Sequence, residues 1–254
     1  MNTNENRLYR IDAMAVANHD ASEQALSYGG RSDRLLKAVA YVFLLTDEDG
    51  RYHLVDTGVR DPDEINVRRI KEHYWVVHPE QTLLAQLQAH HIDPAEVRTV
   101  LLTHLHYDHC SQVALFPNAD VVLSRAEWQS VMSPVHPSLL NLAGYPRDVY
   151  AWMTNSAWSR LKLVEDGDEV LPGVHALVLG GHTPGSTGYL VPAQYGRLVI
   201  AGDVINMFEN WEHAIPPGLV VNLADWFLAY DRLRQLKVPI VPAQIHYLPF
   251  DWQT

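Results

Sequence analysis

The sequence predicts an α/β protein, because short apolar runs that suit β-strands alternate with segments that have helical spacing. Two strand-like runs, Ala38–Leu45 and Tyr52–Asp56, flank the turn-forming segment Asp47–Gly50 and therefore predict an early hairpin. A hairpin at this place argues against an all-parallel Rossmann sheet. The sequence also contains no glycine-rich phosphate-binding motif, so nothing in it points to a nucleotide-binding fold.

The other elements are predicted from local patterns. Leucines at helical spacing predict a helix within Thr82–His90, and Leu223–Leu236 has the pattern of an amphipathic helix. Ser124 stands where an N-cap residue is expected for a helix over Arg125–Met132. The remaining predicted strands are Arg98–Thr103, Ala119–Leu123, Ala176–Leu179, Tyr189–Val191, Leu198–Ala201 and Ile240–Gln244. Because no repeat or linker-like tract divides the chain, we expect a single domain over residues 1–254.

Composition and charge disfavour several classes of function. The 254 residues include 19 basic and 30 acidic side chains, for a net charge of −11, which disfavours binding to nucleic acid. The sequence shows neither a secretory signal nor an apolar run of membrane-spanning length, so we expect a cytoplasmic protein. Cys110 is the only cysteine, which rules out a disulfide within the chain and a zinc cage built from thiolates.

The densest group of ligand-type side chains is the segment His104–His109, called the metal loop below, which directly follows a predicted buried strand. His104 and His106 can converge on one point outside the sheet, while Asp108 and His109 can reach a second point. Imidazole nitrogens and carboxylate oxygens suit zinc, iron, manganese or cobalt. Four such side chains exceed what one catalytic zinc needs, so the loop predicts two metal ions. The alternative, a loop of solvated polar residues, is disfavoured by the HxHxDH pattern.

Three later segments each bring one more ligand-type residue to the end of a strand. They contribute His182 in a glycine-rich turn, Asp203 after the strand Leu198–Ala201, and His246 in the segment Ile240–His246. A single residue of this kind is typical of a cap or a turn. Together, and in this order, they predict a set of ligands that meet along one edge of a sheet.

These residues make the chain resemble the metallo-β-lactamase superfamily over nearly its whole length. The Asp56-Thr57-Gly58 turn ahead of the metal loop adds to that resemblance. Within the superfamily the chain is similar to the N-acyl-homoserine lactonase branch. The similarity rests on the metal loop, Leu8-Tyr9, LVDTG at Leu54–Gly58, HTPG at His182–Gly185, and Asp203 with the segment Phe208–Glu212 after it. The resemblance implies a four-layer αββα sandwich with a binuclear metal site at one edge of the two sheets.

The resemblance also implies how the ligands divide between two divalent ions, with zinc expected first and iron, manganese or cobalt as alternatives. One ion would be held by His104, His106 and His182, the second by Asp108, His109 and His246, and both by the bridging Asp203. Cys110 follows the metal loop, and we expect its side chain to pack away from the ions.

One departure from the family pattern concerns the last ligand. The family usually has a His directly after a strand, and the matching position here holds Gln244, with His246 two residues later on the same side of an extended chain. We expect His246 to be the ligand, because a neutral amide binds transition metals poorly. Gln244 is the alternative.

A second departure concerns catalysis. Lactonases of this family commonly carry a tyrosine three residues after the bridging Asp, and this chain has Asn206 there. The amide of Asn206 can donate a hydrogen bond to an oxyanion but cannot supply a phenol proton. Tyr107 in the metal loop is the candidate substitute, and a packed aromatic ring beside the site is the alternative role for it.

The implied activity is metal-dependent hydrolysis, in which a hydroxide that bridges the two ions opens a lactone or similar cyclic ester. An N-acyl-homoserine-lactone-like substrate fits this activity, and Asp108 is the candidate proton carrier. The alternatives are hydrolysis of another ester, a thioester or an amide on the same fold, and a non-catalytic scaffold stabilised by metal. We expect a small-molecule substrate, no nucleic-acid or membrane partner, and a monomer or homodimer.

Overall fold

The structure is a computed structural model that describes residues 7–68, 73–142 and 144–245. The strands are β1 Arg10–Ser22, β2 Leu35–Thr46, β3 Tyr52–Val55, β4 His73–Val76, β5 Val97–Leu101, β6 Asp120–Ser124, β7 Leu161–Val164, β8 Glu169–Leu171, β9 Val174–Val178, β10 Thr187–Ala193, β11 Gly196–Ile200, β12 Ile240–Val241 and β13 Gln244–Ile245. The helices are α1 Glu23–Leu26, α2 Pro62–Arg68, α3 Leu83–Ala89, α4 Tyr107–Cys110, α5 Arg125–Met132, α6 Ser138–Leu142, α7 Arg147–Asn155, α8 Phe208–His213 and α9 Leu223–Leu236.

The strands form two sheets. The first sheet has the order β4-β1-β2-β3-β5-β6-β7, with β13 paired to β2. The second sheet has the order β12-β11-β10-β9-β8. Strands β2 and β3 pair antiparallel across the turn at residues 47–50, which confirms the predicted hairpin, whereas β3, β5, β6 and β7 run parallel to one another.

Alternation of side chains along the strands builds the four-layer αββα sandwich. In β2, Val42 and Leu44 belong to the core under the helices α3, α5 and α7, whereas Phe43 and Leu45 belong to the core between the sheets. In β10, Tyr189 faces the same inter-sheet core, while Leu190 packs towards α9 on the other side. Each sheet is therefore apolar on both faces. One face packs against the other sheet, and helices cover the opposite face.

Several predicted elements are confirmed with the predicted bounds or close to them. Helices occupy Arg125–Met132 and Leu223–Leu236, as the pattern predicted. The Ser124 hydroxyl accepts a hydrogen bond from the Glu127 backbone N–H at 3.1 Å, which is the predicted N-cap. Within the described residues, no helix combines the length and the apolar character that a membrane crossing needs.

The structure corrects the prediction of one strand over Ile240–Gln244. Strand β12 pairs with β11 in the second sheet, whereas β13 pairs with β2 in the first sheet. Pro242 lies between them and has no N–H to give to a ladder, so the chain leaves one sheet there and joins the other. This crossing places Gln244 where the two sheets meet.

The 13-residue strand β1 was missed by sequence reasoning. Its register against β2 shifts between Ala15 and Ala17, so the period-2 pattern changes phase within the strand. No element was predicted for the helix α2 or the strand β4 either, and Trp75 of β4 is buried.

The two sheets are tied together just before the metal loop. The buried Tyr189 hydroxyl donates a hydrogen bond of 2.8 Å to the carbonyl of Leu102, and the Thr187 N–H donates one of 2.8 Å to the carbonyl of Thr103. These bonds fix the segment from which His104 projects.

Tyr189→Phe should lower the free energy of unfolding by about 1–3 kcal/mol, because the substitution removes a buried hydrogen bond. Urea denaturation measures this change. The control is Tyr195→Phe, since the Tyr195 side chain is 84% exposed and its hydroxyl should contribute little. Equal effects of the two substitutions would contradict the inter-sheet tie.

Candidate metal centre

The metal loop begins where β5 ends. His104 is fully buried, and His106 occupies the N-cap position of the short helix α4, which carries Asp108 and His109. Cys110 is buried, and its thiol contacts the carbonyl of Leu105 at 3.4 Å, so its side chain packs away from the loop histidines as expected. The loop therefore presents its polar side chains to one edge of the sandwich.

A first group of ligand atoms comes from His104, His106 and His182, called the trihistidine cluster below. The three ligand nitrogens lie within 4.8 Å of one another. His106 Nδ1 is 3.0 Å from His104 Nε2 and 3.0 Å from His182 Nε2. Burial lowers the pKa of His104 well below its usual value, and the neighbouring His109, His106 and His182 lower it further. This favours the neutral imidazole, the form that binds metals.

The backbone fixes the tautomer of His182. Its Nδ1 lies 2.6 Å from the carbonyl oxygen of Leu219, which can only accept a hydrogen bond. Nδ1 therefore carries the proton, and the lone pair of Nε2 faces the trihistidine cluster. Such a contact on the far nitrogen is what orients a metal-binding histidine.

A second group of ligand atoms comes from His104, His109 and Asp203, also within 4.8 Å of one another. His109 Nε2 is 3.2 Å from Asp203 Oδ1 and 3.5 Å from Asp108 Oδ2. The other oxygen of Asp203 is 3.5 Å from His182 Nε2. The Asp203 carboxylate thus lies between the two groups, where a bridging ligand would have to be.

Two buried atoms at this place make no hydrogen bond, His109 Nε2 and Asp203 Oδ1. Burial alone would lower the pKa of His109, but the carboxylates of Asp203, Asp108 and Asp56 raise it well above its usual value. Buried polar atoms are normally satisfied, and a cation between these two would satisfy both. The imidazoles, the carboxylates and these two atoms together fit divalent metal ions.

The Asp56 carboxylate positions the metal loop through contacts with Thr103 and His109. Its Oδ1 accepts a hydrogen bond of 2.8 Å from the Thr103 N–H, and its Oδ2 lies 2.8 Å from the Thr103 hydroxyl and from His109 Nδ1. Asp56 adopts a left-handed backbone with φ of 64°, which few residue types tolerate. The sequence indicated Asp56 only through the family resemblance, and the structure supplies its physical role.

Glu127 was missed by sequence reasoning, because an acidic residue in the first turn of a helix is ordinary. Its carboxylate is fully buried. Oε1 accepts from the Leu105 N–H at 3.0 Å and the Tyr145 hydroxyl at 3.3 Å, while Oε2 accepts from the Thr183 hydroxyl at 2.6 Å and the Gly185 N–H at 3.2 Å. Glu127 therefore joins the metal loop to the turn that carries the third histidine.

Gly185 allows this close approach. A Cβ atom built on Gly185 would lie 1.9 Å from the backbone nitrogen of Glu127, so any side chain there would force the turn away from α5. Burial raises the pKa of Glu127, although the hydrogen bonds from Thr183, Leu105 and Gly185 oppose that shift.

Gln244 lies in the site rather than outside it. Its Nε2 is 3.3 Å from Asp108 Oδ2 and 3.3 Å from Asp203 Oδ2, and its Oε1 is 3.3 Å from His19 Nδ1. Gln244, the alternative to His246 as the last ligand, therefore lies beside two of the predicted ligands. His246 lies outside the described residues, and its role stays a prediction.

Asn206 and Tyr107, the two candidate replacements for the lactonase tyrosine, lie in different places. Asn206 is buried in the site, and its Oδ1 makes no hydrogen bond. Tyr107 belongs to the helix-side core, and its hydroxyl donates to the carbonyl and accepts from the N–H of Asp61, both at 3.0 Å. This position does not support the catalytic role considered for Tyr107 and fits the alternative role of a packed aromatic ring. Tyr145 is the phenol beside the site, with its ring centroid 4.9 Å from that of His106.

These groups form the floor of a cleft of about 480 Å³, called the site cleft below. Its polar floor includes His106, Asp108, His182, Asp203, Asn206 and Gln244. Its walls include Leu26, Trp75, Leu139, Leu140, Val220 and Val221. Apolar walls around a few convergent polar groups are typical of a small-molecule site.

Glu127→Gln should weaken the first bound zinc ion by about 10–100-fold, because one accepting oxygen becomes an NH₂ that faces two donors. Zinc titration against a competing chelator measures this. The control is Glu80→Gln, since Glu80 is exposed. Unchanged zinc affinity in the Glu127 variant would limit Glu127 to a general packing role.

Comparisons with known proteins agree with this geometry. The family model described as the metallo-beta-lactamase superfamily matches residues 37–245. The N-acyl homoserine lactonase AttM of Azorhizobium caulinodans is 30% identical over 171 residues, which cover 64% of this chain and 62% of that protein. The N-acyl homoserine lactonase AiiA of Bacillus thuringiensis subsp. kurstaki is 25% identical over 219 residues, which cover 83% of this chain and 80% of that protein. The chain thus spans just under two thirds of the AttM relative.

Solved structures share the fold. An N-acyl homoserine lactone hydrolase with N-hexanoyl-L-homoserine bound at its catalytic metal centre superposes with a TM-score of 0.81 at 18% identity, covering 94% of each chain. The dizinc lactonase AidC superposes with a TM-score of 0.69 at 15% identity, covering 96% of this chain and 92% of AidC. With the family match over most of its length, the chain belongs to the metallo-β-lactamase superfamily.

Proposed function

We propose that this chain is a metal-dependent hydrolase that opens a lactone ring, with N-acyl homoserine lactones as its substrate class. The observation that carries this proposal is the position of the ligand groups, which form the floor of an apolar-walled cleft. Relatives named as N-acyl homoserine lactonases support the substrate class. We also infer that the described parts of the chain form one domain, because both sheets share one inter-sheet core.

The site cleft suits a substrate with a polar head and an aliphatic tail. The Asp108 and Asn206 side chains meet a lactone at the floor, while Leu26, Leu140 and Val220 offer apolar surface to an acyl chain. An acyl amide on a lactone ring has this division of character.

We propose two divalent ions at the floor. The trihistidine cluster would hold one, Asp108 and His109 would hold the second, and Asp203 would be shared between them. Zinc is the ion proposed for the trihistidine cluster, because imidazole suits it. Divalent ions at such a place lower the pKa of water towards neutrality and polarise a carbonyl group. His246 as a further ligand and a cytoplasmic location remain predictions from the sequence.

Two side chains have distinct parts in the proposed reaction. Oδ2 of Asp108 accepts the proton of the attacking water and passes it to the ring oxygen when the ester C–O bond breaks. The product is a hydroxy acid, whose new carboxyl group ionises and releases the second proton of the water to solvent, so water is the only co-reactant. Asn206 is held with its amide at the cleft floor, where its N–H donates to the oxygen that develops negative charge.

Removal of metal tests the proposed function most simply. Protein stripped by a chelator should lose hydrolysis of N-acyl homoserine lactones, and added zinc, cobalt or manganese should restore it. Titration of the released acid at constant pH measures the rate, with esters, thioesters and β-lactams as comparison substrates. Full lactonase activity in metal-free protein, or preference for a comparison substrate, would contradict the proposal.

Substitution of single ligands should separate metal binding from proton transfer. His106→Ala should lower activity by more than about 100-fold with loss of one ion, because it removes a direct ligand. Asp108→Asn should lower kcat by about 100-fold or more, because an amide cannot carry the proton. Steady-state kinetics with metal analysis measures both, and His78→Ala on an exposed side chain is the control. Near-normal turnover in Asp108→Asn would remove Asp108 from the proton path.

A further inference from the structure

The two proposed ion positions have unequal donor sets. The trihistidine cluster offers three imidazole nitrogens. His104 also lies within reach of His109 and Asp203, but its Nε2 is 3.0 Å from His106 Nδ1, so we assign it to the trihistidine cluster. Among the described residues, that leaves the second position one imidazole from His109, the carboxylates of Asp108 and Asp203, and the amide of Gln244. The second position is therefore rich in oxygen, whereas the first is rich in nitrogen.

Gln244 is held at the second position by its backbone and its burial. Its side chain is buried, and its Nε2 lies 3.3 Å from one oxygen of each carboxylate, Asp108 and Asp203. The backbone N–H of Gln244 donates a hydrogen bond of 3.0 Å to the backbone carbonyl of Asn206. Because the chain crosses between the sheets at Pro242, β13 directs this side chain to the place where the sheets meet.

His19 supports the far side of the Gln244 amide. The His19 ring is buried and stacks on Trp75 with a centroid distance of 3.9 Å and an interplanar angle of 5°. Its Nδ1 is 3.3 Å from Gln244 Oε1. An imidazole nitrogen donates in one tautomer and accepts in the other, so His19 can hold the amide in either orientation. A half-turn of the amide brings its oxygen to the carboxylates and its NH₂ to His19.

We propose that the second position takes its ion through the carbonyl oxygen of Gln244, and that this ion is the weaker and exchangeable one. Oxygen donors suit harder ions such as manganese, whereas imidazole suits zinc. Manganese should therefore compete with zinc at the second position far better than at the trihistidine cluster. This inference rests on the proposed metal centre, but it concerns ion binding and does not depend on which substrate is hydrolysed.

Metal titration of the full chain tests the inference. Metal-free protein should bind zinc in two steps, with the second step weaker by at least about tenfold. Loss of a group that only supports a metal ligand already lowers metal affinity by about tenfold or more, so an amide in place of an imidazole ligand should lower it at least as much. The one-zinc protein should then bind one manganese ion, measured by electron paramagnetic resonance and by mass spectrometry of bound metal. Two equally tight zinc steps with no manganese uptake would overturn the inference.

Three variants assign the effect to Gln244. Gln244→His should bring the second zinc step towards the first and reduce manganese uptake, whereas Gln244→Ala should lose the second step. The control for an added imidazole is Gln88→His on the exposed part of α3. The tight first step reports folding in every variant, so loss of the second step alone is not an unfolding artefact.

His246→Ala provides the opposing test. The inference expects this variant to keep both steps, whereas the expectation from the sequence is loss of one ion. If His246→Ala loses the second ion and Gln244→Ala keeps both, Gln244 is not the ligand. Unequal steps in a protein that opens no lactone would support this inference while contradicting the proposed function.

Discussion

Crowding of imidazoles and carboxylates into one buried volume is the constraint on which the rest of the site depends. Such groups lose hydration on burial, and the loss is tolerable only where each is paired, hydrogen-bonded or bound to metal. Neighbouring polar groups meet this requirement on the side of the cluster that faces away from the ligand atoms. Asp56 holds His109, the Leu219 carbonyl holds His182, and Glu127 holds the two segments that carry the histidines. The near side, with His109 Nε2 and Asp203 Oδ1 unsatisfied, is left to the proposed ions.

The fold satisfies this constraint by bringing segments that flank strands of both sheets to one edge of the sandwich. The first sheet supplies the metal loop after β5, and the second supplies the turn before β10 and the Asp203 segment after β11. The Tyr189 hydroxyl and the Thr187 N–H tie these sheets together beside the loop. The apolar residues of both sheets therefore determine how closely the ligands meet.

Sequence patterns predicted the parts of the site that are local in the chain. The metal loop is contiguous, so its chemistry is visible without any knowledge of packing, and the same holds for the Ser124 cap. Glu127 could not be found in this way, because its partners Leu105 and Gly185 are brought to it only by folding. The sequence left two roles open for Tyr107, because the direction of its side chain is set by the short helix α4 and by the contact with Asp61.

The position of Gln244 is also set by folding and is not visible in the local sequence pattern. Alternation along one extended strand placed Gln244 and His246 on the same face, but Pro242 divides the segment Ile240–Gln244 between two sheets. Anomalous diffraction from crystals of the metal-loaded protein is the most direct test of whether the histidines and carboxylates at this edge hold two divalent ions. We expect two peaks, one enclosed by His104, His106 and His182 and one beside Asp108 and His109, with Asp203 between them. A single peak, or peaks away from these side chains, would contradict this expectation.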